Sequence, residues 1–141
     1  MADFFLKDNN KIDFQDLMQH RIHEILLVAS PYDAFILEED GHLTEQILTE
    51  YIGMNFNYAP RVTRVRNGLK ALEILKTKKF DLIILMLRIE DQNPLSLGKT
   101  IKKTYPRKPI ILLSFDESEL KQLPDKISPS SINRVFIWSG D

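Results

Sequence analysis

The chain has 141 residues and 43% hydrophobic content, enough for one core and too little for two ordinary domains. It contains no cysteine, which excludes disulfides, thiolate catalysis and cysteine-ligated metal centres and fits a reducing compartment. With 19 basic and 20 acidic residues the net charge is −1, so no global field favours nucleic acid. The opening MADFFLKDNNKIDF lacks a basic start followed by a sustained apolar run. Nowhere does the chain reach the roughly 18 consecutive apolar residues of a membrane span, so a cytoplasmic protein without membrane contact is expected.

The first expected element is a helix over 13–22, capped by Asp13 and striped with Phe14, Leu17, Met18 and Ile22. A strand follows at 25–28. ASPYDAFILEEDG, residues 29–41, reads as a turn or short helix before a longer one, in which Leu43, Ile47, Leu48, Tyr51 and Ile52 share a face. After a second strand at 62–65, Asn67 caps a helix carrying Leu69, Leu72 and Leu75. A third strand covers 82–85. Asn93 and Pro94 then open a helix that buries Leu97, Ile101 and Tyr105. Beyond a fourth strand at 110–113, Asp116 and Glu119 form a variant capping box for a short helix through Leu120 and Leu123. The last strand is 135–137. Strands alternating with helices, several of them apolar at consecutive positions, indicate an α/β fold whose parallel sheet is covered on both faces. Residues 1–22 are assigned to an N-terminal extension and 23–141 to the domain.

The segments EILLVAS, VTRVRNGLKALEIL, FDLIILML, PRKPIILLSF and RVFIWSG resemble, in that order, the five strand regions of the receiver domain of bacterial response regulators, from about His23 to Gly140. The resemblance implies a flavodoxin-like, doubly wound, five-stranded parallel sheet. It also implies that the extra N-terminal helix is an addition and that the family's last helix is missing, because the sequence stops at Trp138, Ser139, Gly140 and Asp141. HEILLVASPYDAFILEEDG is similar as well to receiver-like segments preceding pyruvate/phosphoenolpyruvate-binding kinase domains in bacterial proteins, which implies a regulatory head of a larger phosphotransferase.

In the receiver family two acids after the first strand and an aspartate ending the third hold magnesium, and that aspartate takes the phosphoryl group. A hydroxyl residue ending the fourth strand and a lysine ending the fifth bind the phosphoryl oxygens. The resemblance places the acid pair on Ala29 and Ser30, the phosphoacceptor on Met86, the hydroxyl on Ser114 and the lysine on Trp138. A thioether is a soft, weak acceptor with no affinity for magnesium, so only Ser114 keeps the expected type. Met86 and Trp138 are expected to close the old pocket as an apolar lid.

Other features have a bland alternative. Asp81 opens the third strand, about 16 Å from the site at the wrong end of the sheet. Glu90 and Asp91 could swing towards the pocket, or cap the next helix as a solvated loop. His20 and His23 make two ligands and no site. Glu38, Glu39 and Asp40 could replace metal ligands or form a solvated turn. Arg61, Arg64, Arg66 and Lys70 form a basic patch or a charge-protected edge strand. The resulting expectation is a non-enzymatic, cofactor-free and metal-free receiver-like module that binds a protein partner or a downstream domain of its own polypeptide, with a homodimer as a further arrangement. Two alternatives remain: a phosphorelay receiver using Asp91 or Glu90, and an anion sensor near Ser114.

Overall fold

The computed structural model describes residues 2–5, 23–39, 61–115, 117–121, 123, 128 and 130–137. The elements are β1 (Ala2–Phe5), β2 (Glu24–Val28), α1 (Pro31–Glu39), β3 (Arg61–Val65), α2 (Gly68–Thr77), β4 (Leu82–Met86), α3 (Pro94–Thr104), β5 (Ile110–Ser114), α4 (Glu117–Leu120) and β6 (Arg134–Ile137). All five expected strands are present, with ends within a residue or so of the sequence reading. The expected helices over 13–22 and from Leu43 to Ile52, and the cap Asp116, lie outside the described residues.

The sheet order is β1-β6-β5-β4-β2-β3. Strands β2 to β6 run parallel, and the chain direction across the sheet reverses between β2 and β4. Doubly wound sheets open a crevice outside the carboxyl ends of their strands at such a switch point. Side chains alternate cleanly between two cores, following the period of two along each strand. One face carries Ile25, Leu27, Ala29, Leu82, Ile84, Met86, Ile111, Leu113 and Phe136. The other carries Leu26, Val28, Ile83, Leu85, Ile110, Leu112 and Val135, and against it pack Ala71 and Leu75 of α2 and Leu97 and Ile101 of α3.

Local sequence explains the helix boundaries. The Asn67 side chain accepts from the Lys70 N–H at 2.8 Å, and Asn93 accepts from the Leu95 N–H at 2.7 Å with Pro94 in the first turn. Tyr105 ends α3 partly buried, its hydroxyl donating to the Leu75 carbonyl at 3.1 Å. Leu69 on this helix is 59% exposed, and the buried stripe of α2 is Gly68, Ala71 and Leu75, with Leu72 and Ile74 partly buried. The cap fixes where the helix starts, and its inward face runs from Gly68 through Ala71 to Leu75.

A sixth strand, β1, was not legible in the sequence. It pairs antiparallel with β6, Ala2 opposite Ile137 and Phe5 opposite Arg134, so residues assigned to an extension share the sheet. At the other edge lies β3, whose Arg61 and Arg64 are exposed, with Arg61 Nε 3.1 Å from Glu24 Oε1. This is the charge-protected edge strand, in which guanidinium groups discourage further strand pairing.

The amino end of the sheet is closed by polar staples. Asp81 accepts from the backbone N–H groups of His23 and Glu24 at 2.8 and 2.9 Å, joining the entries of β2 and β4. The Lys108 ammonium, held below its usual pKa by burial, donates to the Phe80 carbonyl. Asn133 donates its backbone N–H to the Ile110 carbonyl and accepts the Ile110 N–H on its side chain, both at 2.8 Å, which aligns β5 with β6.

Gly98 lies in α3 where the helix meets the segment before β6. A Cβ there would sit 2.4 Å from the Ser131 carbonyl oxygen and 3.1 Å from Ile132 Cδ1. Gly-to-Ala in a helix interior ordinarily gains about 1 kcal/mol. Gly98→Ala is instead expected to cost about 1–3 kcal/mol through the forced backbone shift, read as a lower urea midpoint. A stabilised variant would show that the α3 approach is not tight.

Candidate functional site

The carboxyl ends of β2, β4 and β5 are aligned by their pairing: Val28 stands beside Leu85, and Met86 beside Leu113. Each strand delivers its next residues to the same edge.

Ala29 leaves β2 buried, its N–H donating to the Val65 carbonyl at 3.1 Å. Ser30 caps α1: its hydroxyl oxygen accepts from the Asp33 N–H at 3.2 Å, and its carbonyl accepts from the Ala34 N–H at 2.9 Å. Pro31, with no N–H to satisfy, occupies the first helical position. The short-helix reading of residues 29–41 thus holds, and the Ser-Pro-Tyr-Asp order accounts for its start.

Met86 ends β4 at 1% exposure. It belongs to the cluster of Ala29, Leu113 and Phe136, flanked by Ala34 and Phe115. The alternation along β4 puts it there, since Leu82 and Ile84 precede it on that face. Neither Ala29 nor Met86 offers a hard oxygen donor. Trp138, the next residue but one after Phe136, lies outside the described residues, as do His20 and Asp40; His23 is exposed at the opposite end of the sheet.

Two residues at this edge, Asp33 and Arg88, were not singled out in the sequence. Asp33 is 1% exposed and accepts from Arg88 Nη2 at 2.9 Å. Arg88, two residues past β4, has its Nε 4.0 Å from Glu119 Oε2, and its guanidinium lies 5.9 Å from the centre of the exposed Tyr32 ring. Glu119 also accepts the Ser114 hydroxyl at 3.2 Å. A charged and hydroxyl chain, Asp33–Arg88–Glu119–Ser114, therefore runs across the ends of three strands. Asp33 carried a local signal, an acid at the third helical position behind a Ser cap; Arg88 carried none.

Glu90 and Asp91 lie at the β3–α2 corner. Glu90 Oε1 takes both Arg66 Nη2 at 2.9 Å and Arg66 Nε at 3.2 Å. Asp91 accepts from the N–H groups of Gly68 and Leu69 at 2.8 and 3.0 Å. The Gly68 bond is the main influence holding its carboxyl below the ordinary range. Among the described residues no three His, Asp or Glu side chains gather to hold a metal ion, and no helix is long and apolar enough to cross a membrane.

A parallel doubly wound sheet with its polar groups gathered at the strand ends defines a flavodoxin-like α/β domain. The model of the response regulator receiver domain matches residues 35–126, about two thirds of the chain, and the chain belongs to that family. Receiver domains are regulatory parts of signal-transduction proteins, act through protein partners or linked domains, and are not enzymes. Among solved structures, the receiver domain of an HD domain-containing protein from Pseudomonas fluorescens is 21% identical with a TM-score of 0.59, covering 86% of this chain and 80% of that one. The receiver domain of a sensor histidine kinase from Pseudomonas aeruginosa, with magnesium coordinated in its active-site cleft, is 21% identical at 0.56, covering 83% and 85%. A receiver domain of a histidine kinase from Syntrophus aciditrophicus is 26% identical at 0.50, covering 71% and 69%. No curated protein matches the chain.

Two predictions follow from burial and pairing at this edge. Met86→Asp is expected to lose about 3–5 kcal/mol at neutral pH by burying an uncompensated charge, whereas Met86→Leu loses about 1.5 kcal/mol or less. The introduced carboxyl has its folded pKa raised by burial, so the loss is full at neutral pH and shrinks as pH falls towards 4. Urea unfolding that finds Met86→Asp as stable as the parent would mean the position is open to water. For Asp91 the sign is opposite: its depressed folded pKa stabilises above the unfolded value of about 3.9 and that stability is lost as pH falls through the folded value. The stability gap between the parent and Asp91→Asn should narrow from pH 7 to pH 3; an unchanged gap would detach the carboxylate charge from α2.

Proposed function

We propose that this receiver domain has given up phosphorylation and regulates through its surfaces, as a pseudo-receiver that binds a protein partner or a linked domain. The observation that carries the reading is Met86, buried in the apolar cluster at the end of β4, where the family resemblance puts the phosphoacceptor. An acyl phosphate needs a carboxylate nucleophile, and magnesium needs hard oxygen ligands. Ala29 and Met86 supply neither, and Ser30 is engaged as a helix cap. Magnesium, which the similar receiver from Pseudomonas aeruginosa holds in its cleft, does not fit this donor set.

The engagement of the two carboxylates in the loop beyond β4 supports the same reading. Glu90 is bonded to Arg66, and Asp91 is bonded to the start of α2. A phosphorelay through either would first have to break those contacts. A linked output domain of the phosphotransferase kind is the partner that the 23–41 resemblance suggests.

Incubation with acetyl phosphate and magnesium, followed by intact-mass measurement, is expected to show no phosphoryl adduct, and magnesium is expected to leave Tm unchanged. A stable adduct mapped to Asp91 or Glu90 would replace this reading with a working relay.

A further inference from the structure

We propose that Arg88 is a built-in cation that clamps the start of α1, the loop after β4 and α4 into one arrangement, without any bound ion. Asp33 is the reason the clamp is needed. Its carboxylate is 1% exposed, and a buried charge persists only when paired and hydrogen-bonded. The partner comes from 55 residues away: Arg88 Nη2 lies 2.9 Å from Asp33 Oδ1. On its other side the guanidinium meets Glu119 at 4.0 Å, and the second Glu119 oxygen takes the Ser114 hydroxyl.

One cation thus stands between two carboxylates delivered by α1 and α4, while Ser114 ties the second carboxylate back to β5. A divalent ion among acids would balance charge in a comparable way, but a guanidinium is covalently attached and permanently charged. It neither dissociates nor exchanges with solvent. The two links are unequal. The contact to Asp33 is short and buried on the carboxylate side, whereas the contact to Glu119 is long, and the Arg88 side chain is 57% exposed. α4 has four residues, too few to be stable alone, and the longer link adds to the packing of Leu120 and Leu123 on the core and to the Ser114–Glu119 bond in holding it. The significance of this clamp rests on the proposed loss of phosphorylation, since a phosphoryl group or magnesium at the same edge would compete for these groups.

Amide exchange by NMR on the full chain, with no phosphodonor present, tests the clamp separately from that reading. The informative amides are Asp33 and Ala34, bonded to Ser30, and Lys121 and Leu123, bonded to Ser118 and Leu120. Ala71 and Leu97, bonded at the starts of α2 and α3, serve as controls. Arg88→Met should speed exchange about ten-fold at all four informative amides and leave the controls unchanged. The pair Asp33→Asn with Arg88→Met should restore Asp33 and Ala34, because no unpaired buried charge remains, but not Lys121 and Leu123. If Arg88→Met folds poorly, Arg88→Lys decides: an ammonium can satisfy Asp33 but cannot face both carboxylates with a planar fork, so faster exchange should be confined to Lys121 and Leu123. Equal acceleration of controls and informative amides, or none anywhere, would overturn the clamp.

Discussion

The central constraint is the complete burial of β4. Leu82 to Leu85 pair with β2 and Ile83 to Met86 with β5, and each of its five residues is packed on one of the two faces. A strand in that position tolerates no unsatisfied polar group along its length, and a polar residue at its end survives only if the loops beyond it supply partners or water. Met86 removes that demand by extending the apolar face to the last residue. The neighbouring loops then need not surround a charge at the strand end, and their polar groups pair with one another.

The two ends of the sheet differ in the balance of their polar contacts. At the amino end, carboxylate and ammonium groups bind backbone: Asp81 holds two N–H groups, and Lys108 and Lys102 donate to carbonyls. These contacts set strand entry and register, beside the ion pairs that Glu24 makes with Arg61 and Lys78. At the carboxyl end, side chains bind side chains, Arg88 to Asp33 across 55 residues and Glu119 to Ser114 across five. Side-chain pairs can be rearranged without breaking the sheet, so the end that can be remodelled is the end where this family places its regulatory site.

What the sequence disclosed follows the range of each interaction. Asn67, and Asn93 with Pro94, were readable because a cap and the N–H it accepts from lie within three residues. The strands were readable because consecutive Ile, Leu and Val suit burial on both faces. Leu69, at the first turn, satisfies helical spacing and still faces water. Met86 was legible as a missing carboxylate, but its burial in the cluster that Ala34 and Phe115 pack against is a property of packing. Arg88 was invisible because nothing adjacent to it in sequence indicates Asp33. β1 was equally hidden: four residues carry no period, and what makes them a strand is the edge of β6.

That pairing has a consequence for how the chain comes into being. Ala2 is joined to Ile137, so nearly the whole sequence lies between the two halves of this ladder. On a ribosome the residues of β1 are made before those of every other strand, yet their hydrogen-bonding partner is made after all of them. Closure of so long a loop carries a high entropic cost until the intervening parallel strands have brought its ends together. The first strand of this sheet to be synthesised is thus the last that can find its place, and until β6 has been made Ala2–Phe5 must wait beside a sheet whose receiving edge does not yet exist.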